Sequence, residues 1–418
     1  MGDAVSSEQG ASPRTKKVAE GEGERTRSLA ETWRRASALM LPMGVTRVAD
    51  LTGLDHLGIP VAAAYRPNAR SVSVAQGKGQ TVEAARVSAL MEALEGYCAE
   101  RVSLPLRLAT VREMRAEPSC CDLAGLPRTR VPLDDAAKLL WVSASVVGTH
   151  ASAWVPLEVV QTDFTRPAVG SCGAFVSSSN GLASGNHADE ALLQGICELV
   201  ERDANTLWWL ATDALRDTRR IDLHALEDPA LCALLHRVEG AEIDVALWET
   251  TTDVGIPAYV CWLADRHPRY VPIPPVQGSG CHVRRETAIA RAMLEAVQGR
   301  ITRIAAARED LDGGLYSVPR SQALSERFTD LLRRPATRKV ADAMSHRSGD
   351  VSDDVAWARA RLSDVGLSDV LCVDLTPDPH WGLHFLKVII PGLEGLAEAP
   401  HYVPGRRANS WRTACAAR

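Results

Sequence analysis

Apolar residues along the chain return mostly on the period of a helix. From 186 to 209 the sequence reads NHADEALLQGICELVERDANTLWW. Leu192, Leu193, Ile196, Leu199 and Val200 recur every three or four residues, the spacing of a buried helical face. Glu190, Gln194, Glu198 and Glu201 recur on the same period along the other face. Asn186 stands where an N-cap belongs and Asp189 at the capping-box position, so the helix is expected to begin near His187. A row of acids beside an apolar face is ordinarily a solvated surface, but the pattern occurs twice more. Over 81–102, Ser88, Glu92 and Glu95 share a face among Ala85, Leu90, Ala93, Leu94 and Tyr97. Over 284–307, Arg291, Glu295 and Gln298 do the same beside Ala288, Ala292, Leu294 and Ile301.

Shorter apolar runs bounded by Gly, Pro and Asp predict strands. They fall near 45–48, 59–65, 71–74, 139–147, 153–160, 245–249, 258–263, 370–375 and 385–391. Gln76-Gly77-Lys78-Gly79 and the stretch 278–282 (GSGCH) read as tight loops that open the second and third acidic helices. Further helices are expected over 28–41 and 353–365. Residues 308–350 are charged and punctuated by Pro and Gly, and are expected to form a mobile excursion. No repeat of fixed period is legible. The pattern implies an α/β (α+β) fold in one domain over 29–405, between a disordered tail (1–28) and a flexible one (406–418).

Composition narrows the classes. The 418 residues are 46% hydrophobic and 24% charged, the profile of a soluble globular chain. The 47 basic and 52 acidic residues leave a net charge of -5, which gives no general affinity for nucleic acid. No apolar run is long enough to span a bilayer, and the start of the chain lacks a signal-peptide apolar region. The ten cysteines form no CxxC and no zinc spacing, so they read as reduced thiols of a cytoplasmic protein. Cys172 and Cys281 adjoin Gly-rich turns and stand as candidate nucleophiles.

Converging carboxylates repel unless cations neutralise them. Glu92, Glu95, Glu198, Glu201 and Glu295 offer only oxygen, which favours a hard ion such as Mg²⁺. Lys78, Arg202 and Arg291 beside such an ion point to a polyanionic ligand such as a triphosphate. No GxxxxGK[ST] loop is present, so the site is not of the P-loop kind.

Three stretches carry a family likeness. GKG-x8-SALMEALEGY, the segment NGLAxGN-x3-EA-x6-E-x2-ERDA and GSGCHVRRETAIARAMLEAVQGRITRIAAARED resemble the YcaO superfamily, in order, from about residue 44 to 402. The resemblance implies a single α/β unit with an ATP site between its layers. It also implies ATP-dependent activation of a peptide backbone amide: a nucleophile adds to the carbonyl, the oxygen is phosphorylated, and phosphate leaves. By motif position, Glu92, Glu95, Glu198, Glu201 and Glu295 correspond to Mg²⁺ ligands. Lys78, Ser88, Asn186, Glu190, Gln194, Arg202 and Arg291 correspond to nucleotide contacts, with Arg202, Arg291 and Glu201 in catalytic roles. Arg47 is a further candidate for a nucleotide contact.

Two departures qualify the likeness. Gly96 replaces an Arg that many members carry. The chain ends WRTACAAR, where azoline-forming cyclodehydratases carry a proline-rich PxPxP tail. VTRVADLTGLDHLGIPV, VIIPGLEG and HYVPGRR instead resemble the branch that works with a TfuA partner and forms backbone thioamides. That branch implies a precursor peptide as substrate and a TfuA-like protein as sulfur-delivering partner; the charge balance and apolar runs point to no nucleic-acid or membrane partner, and a second copy of the chain, as a homodimer, is a further candidate partner. Azoline-forming and macroamidine-forming chemistry are the alternatives within the family.

Overall fold

A computed structural model describes residues 15–18, 24–165, 170–267, 273–311, 313–397 and 402–416. In chain order the first elements are α1 (Leu29–Ser37), β1 (Arg47–Asp50), β2 (Val61–Tyr65), β3 (Val74–Lys78) and α2 (Val82–Glu100). Next come β4 (Leu106–Thr110), α3 (Val111–Arg115), β5 (Lys138–Val146), β6 (Ser152–Pro156), β7 (Leu182–Gly185) and α4 (Ala188–Leu210). They are followed by α5 (Asp213–Asp217), α6 (Pro229–Gly240), β8 (Ile243–Glu249), β9 (Ala258–Asp265), β10 (Val276–Cys281) and α7 (Arg285–Ala305). The chain ends with α8 (Val318–Arg333), α9 (Val351–Asp364), β11 (Leu371–Asp374), β12 (His384–Ile389) and α10 (Arg406–Ala416).

The architecture is mixed α+β, as the pattern implied. Strands β1-β2-β3 form one antiparallel sheet and β10-β9-β8 a second. A third, six-stranded sheet runs β4-β5-β11-β12-β7, with β6 paired to β5. The two small sheets are built alike: each is a three-stranded meander followed by a long helix, α2 or α7, that lies back on it. Helix α4 lies on β7 and β12 of the large sheet and also meets β10. The three acidic helices of the sequence thus each rest on a sheet.

The main departure from the sequence reading concerns the glycine segments. Both were expected as loops, yet β3 contains Gln76-Gly77-Lys78 and β10 contains Gly278-Ser279-Gly280. The glycines serve close approach rather than turning. A Cβ on Gly77 would lie 2.0 Å from the Ala89 backbone nitrogen and 2.3 Å from the Ala85 carbonyl oxygen. On Gly278 it would lie 2.1 Å from the Ala296 nitrogen and 2.4 Å from the Ala292 oxygen. Glycine on the strand and alanine on the helix let each helix backbone settle onto its own sheet.

Three other segments differ. Helix α4 is capped by His187, whose Nδ1 accepts from the Asp189 N–H at 3.2 Å, not by Asn186. Within 308–350, expected as a mobile excursion, α8 packs Phe328 against Trp262. Residues 406–416, expected as a flexible tail, form α10, and Arg407 binds the buried carboxylate of Asp203 at 2.9 and 3.0 Å. Of the tail expected over 1–28, residues 15–18 and 24–28 are described and packed, while 1–14 and 19–23 lie outside the described residues. Lys17 there pairs with the fully buried Asp354 at 2.6 Å. Among the described residues no helix is long and apolar enough to cross a membrane.

Candidate functional site

The inner faces of α2, α4 and α7, with the ends of β3, β7 and β10, enclose a cavity of about 1090 Å³. All twelve metal, nucleotide and catalytic candidates from the sequence line it. Arg47 does not; its guanidinium sits 5.6 Å over the Tyr65 ring.

The acids arrive from three directions. Helix α2 presents Glu92 and Glu95, with the Ser184 hydroxyl of β7 donating to Glu95 at 2.5 Å. Helix α4 presents Glu198 and Glu201. One turn of helix brings Arg202 to both, at 3.4 Å from Glu198 and 2.9 Å from Glu201. Helix α7 presents Glu295, which takes an ion pair from Lys78 of β3 at 3.0 Å. Ser279 of β10 lies between two of these helices, its hydroxyl 2.9 Å from Glu201 and 3.0 Å from Glu295. Arg291 donates to the Cys281 carbonyl at 3.0 Å, and Ser88 and Gln194 also line the cavity.

This crowding leaves the acids short of positive charge. Burial pushes Glu95 up to about 8; the Ser184 hydrogen bond opposes it, and Glu92 and Glu198 add to the rise. Burial pushes Glu201 up to about 7 against the pull of Arg202. Glu92 and Glu198 are raised by burial too, opposed chiefly by Lys78 and Arg202 respectively. Glu295 differs: burial raises it, but Lys78 and Arg202 together hold it below its ordinary value. Burial works against the charge on Arg202, yet Glu201, Glu198 and Glu295 keep its guanidinium more firmly protonated than usual.

Such a site fits a hard cation with an anionic ligand. The donors are oxygen, and four of the five acids lack a full counter-charge. Arg202 Nε and Gln298 Oε1 are buried without a hydrogen-bond partner among the described residues, a donor and an acceptor free for whatever enters. Among the described residues no three His, Cys, Asp or Glu side chains stand as a ready-made metal cage. The acids ring a cavity instead, and Mg²⁺ in such surroundings takes one or two carboxylates and completes its shell with water and phosphate oxygens.

Several wall residues carried no sequence signal, or one that was not used. Ser279 was legible in principle, since Gln277-Gly278-Ser279-Gly280 repeats the form of Gln76-Gly77-Lys78-Gly79. Arg25 lines the cavity, and the neighbouring Thr26 N–H donates to the Glu190 carboxylate. Both lie in a polar stretch whose composition gives no sign of order. Asn186 hydrogen-bonds Thr32 of α1 at 3.0 Å, and its N–H donates to Glu190 at 2.7 Å. Burial raises Glu190, but Arg25 and the Thr26 and Asn186 donors hold it below its ordinary value.

The two candidate thiols separate. Cys281 lines the cavity but is buried, and burial with the adjacent Cys197 raises its thiol well above its ordinary value. Cys172 lies outside the cavity wall and donates to Glu158 at 3.5 Å; burial raises it as well. Neither environment favours a thiolate.

Residues 76–394 match the family described as YcaO cyclodehydratase, ATP- and Mg²⁺-binding. The chain is 34% identical over 388 residues to an uncharacterised protein of the tfuA 3′ region in Rhizobium leguminosarum bv. trifolii, covering 91% of this chain and 90% of that one. It is 33% identical over 392 residues to an uncharacterised protein of Methanothermobacter thermautotrophicus, covering 91% and 97%. Among solved structures it is similar to a YcaO from Methanopyrus kandleri bound with AMPPCP and Mg²⁺, with a TM-score of 0.69, 24% identity, and 91% and 95% of the two chains covered. It is also similar to a heterocyclase in complex with substrate and cofactor, with a TM-score of 0.73 and 22% identity; the likeness covers 94% of this chain and 56% of that one.

Proposed function

The chain belongs to the YcaO family, and on that premise we propose that it activates a peptide backbone amide by O-phosphorylation and installs a thioamide in a ribosomally synthesised peptide, together with a TfuA-like sulfur-delivering partner. The family is ATP- and Mg²⁺-binding, and its domain covers most of this chain. The observation that carries the finer reading is the near-full-length likeness to the protein of the tfuA 3′ region.

The wall residues suit this chemistry. Glu92, Glu95, Glu198, Glu201 and Glu295 would hold Mg²⁺ through oxygen, and Lys78, Arg202 and Arg291 would face phosphate. Bound Mg²⁺–ATP supplies the phosphoryl group that turns the amide oxygen into a leaving group. The arginines, fixed by ion pairs and a backbone carbonyl, need little reorganisation as charge develops on the phosphoryl oxygens. Ser88, Asn186, Glu190 and Gln194 would position the nucleotide. In the net reaction hydrosulfide would add to the amide carbon, the resulting oxyanion would take the γ-phosphoryl group with ADP as leaving group, and the C–O bond would break with loss of phosphate and the S–H proton as the C=S bond forms.

The test is a reconstitution with precursor peptide, ATP, Mg²⁺ and sulfide, with and without a TfuA-like protein, read by peptide mass. A gain of about 16 Da, sulfur for oxygen, is expected. A loss of about 18 Da would replace thioamidation with ring or amidine formation. Absence of ATP turnover in every combination would overturn the enzymatic reading.

A further inference from the structure

A second cavity of about 290 Å³ lies where the C-terminal end of α4, the β10-β9-β8 sheet and α8 meet. Four of its walls are indoles: Trp208 and Trp209 of α4, Trp248 of β8 and Trp262 of β9. Trp208 and Trp248 lie 6.2 Å apart, and Trp209 and Trp262 6.3 Å, centroid to centroid. This space is small for a whole organic ligand and suits a single side chain.

Two donors among the lining residues are unspent. Trp248 is fully buried, and its indole N–H finds no acceptor among the described residues. Buried indole N–H groups ordinarily have one. Arg327 of α8 stacks 4.4 Å over the Trp209 ring and makes no ion pair among the described residues. The other charges are already used. Arg216 binds Asp213 at 3.0 Å and the Trp209 carbonyl at 2.9 Å, and Arg334 binds Asp213, Asp217 and Asp330 at 3.2, 3.0 and 3.5 Å. The cavity therefore offers apolar walls, a neutral donor and a cation, which together suit a carboxylate on an apolar stem.

Its position relates it to the first cavity. Trp208 and Trp209 follow Glu201 and Arg202 by seven residues, two turns along the same face of α4, or about 10 Å. On the sheet, Ser279 pairs with Val260 and Val260 with Trp248, so the three side chains share one face. Two strand spacings again give about 10 Å. An extended peptide covers that distance in about three residues.

Resting on the peptide-modifying reading above, we infer that this cavity is an anchor subsite for the substrate. It receives a peptide carboxylate, from a glutamate side chain or a chain terminus, about three residues from the amide held in the first cavity. The carboxylate accepts from Trp248 and Arg327 while its stem lies against the indoles.

Tryptophan emission tests binding directly, without ATP. The probes are N-acetylglutamate N-methylamide, N-acetylleucine with a free carboxylate, and N-acetylglutamine N-methylamide as the neutral isostere. A saturable change is expected with a carboxylate probe, about tenfold weaker with the glutamine probe and about tenfold weaker in Arg327→Gln and Trp248→Phe. The stronger of the two carboxylate probes identifies the source. No saturable change, or equal binding of the glutamine probe, overturns the inference. Arg327→Gln is exposed, so its fold is safe if Trp248→Phe misfolds. With the reconstituted peptide, Arg327→Gln should raise KM about fivefold or more and leave kcat and peptide-free ATP turnover unchanged. An unaltered KM also overturns the subsite. If wild-type protein binds the probes but modifies no peptide, the functional reading fails by itself; if it modifies peptide but binds no probe, only this inference falls.

Discussion

Glu201 and Glu295 come from separate helices, α4 and α7, yet both lie within hydrogen-bonding distance of the single Ser279 hydroxyl, at 2.9 and 3.0 Å. A hydroxyl has one proton to give, so it cannot satisfy two carboxylates at once. The pair needs a further positive charge between or beside them, and Arg202 and Lys78 supply part of it.

Ser279→Ala should loosen that pairing without removing an acid. We expect Mg²⁺ affinity, read by calorimetry in the presence of a non-hydrolysable nucleotide, to fall about tenfold, as for the loss of a residue that orients a metal ligand. Unchanged affinity would make Ser279 a packing residue.

Glu201→Gln should cost about a hundredfold or more in ATP-dependent product while leaving the thermal transition near wild type. The amide keeps the shape of the side chain and its contact with Ser279 but brings no charge to a cation. Wild-type turnover would remove Glu201 from the metal site.

Gly77→Ala should destabilise by about 1–3 kcal/mol or more, since its Cβ would collide with the α2 backbone. Gly53→Ala is the control. It meets nothing within 4 Å, and should stay within about 0.5 kcal/mol in the same denaturant titration.

Arg407→Ala should cost about 3–5 kcal/mol, because it leaves the buried Asp203 carboxylate without its cation. The loss should be read by denaturation, with faster proteolysis of α10 as the local signature.

The buried pair Arg66–Glu100 sets an acid limit on the fold. Burial raises the Glu100 carboxyl, but Arg66, at 2.5 and 2.6 Å, and Ser71 outweigh it and hold it below its ordinary value. A depressed folded-state value means the stabilisation is present above the ordinary Glu range, about pH 4.3. It is lost as pH falls through the lower, folded-state value. Glu100→Gln should therefore be less stable than wild type at pH 7, with the gap closing below about pH 4. A gap that does not change with pH would show that Glu100 is not ionised in the fold.

The sequence determined the three acidic helices, the strands that follow apolar runs, and twelve of the residues that line the cavity. That information is local: a helix repeats every 3.6 residues, so the acids that share a face are fixed by spacing alone. Tertiary structure decided what spacing cannot encode. Gly77 and Gly278 read as turns, because a glycine's neighbours in sequence do not disclose which backbone will press on it. The Ser279 hydroxyl became a bridge only once β10 and α4 were packed together. Glu190 gained the Thr26 donor from 164 residues away, and α4 is capped by His187 while the Asn186 side chain bonds Thr32 instead. The physical reason is range: periodicity selects which side chains share a face, whereas the identity of the opposing surface depends on contacts between segments far apart in the chain.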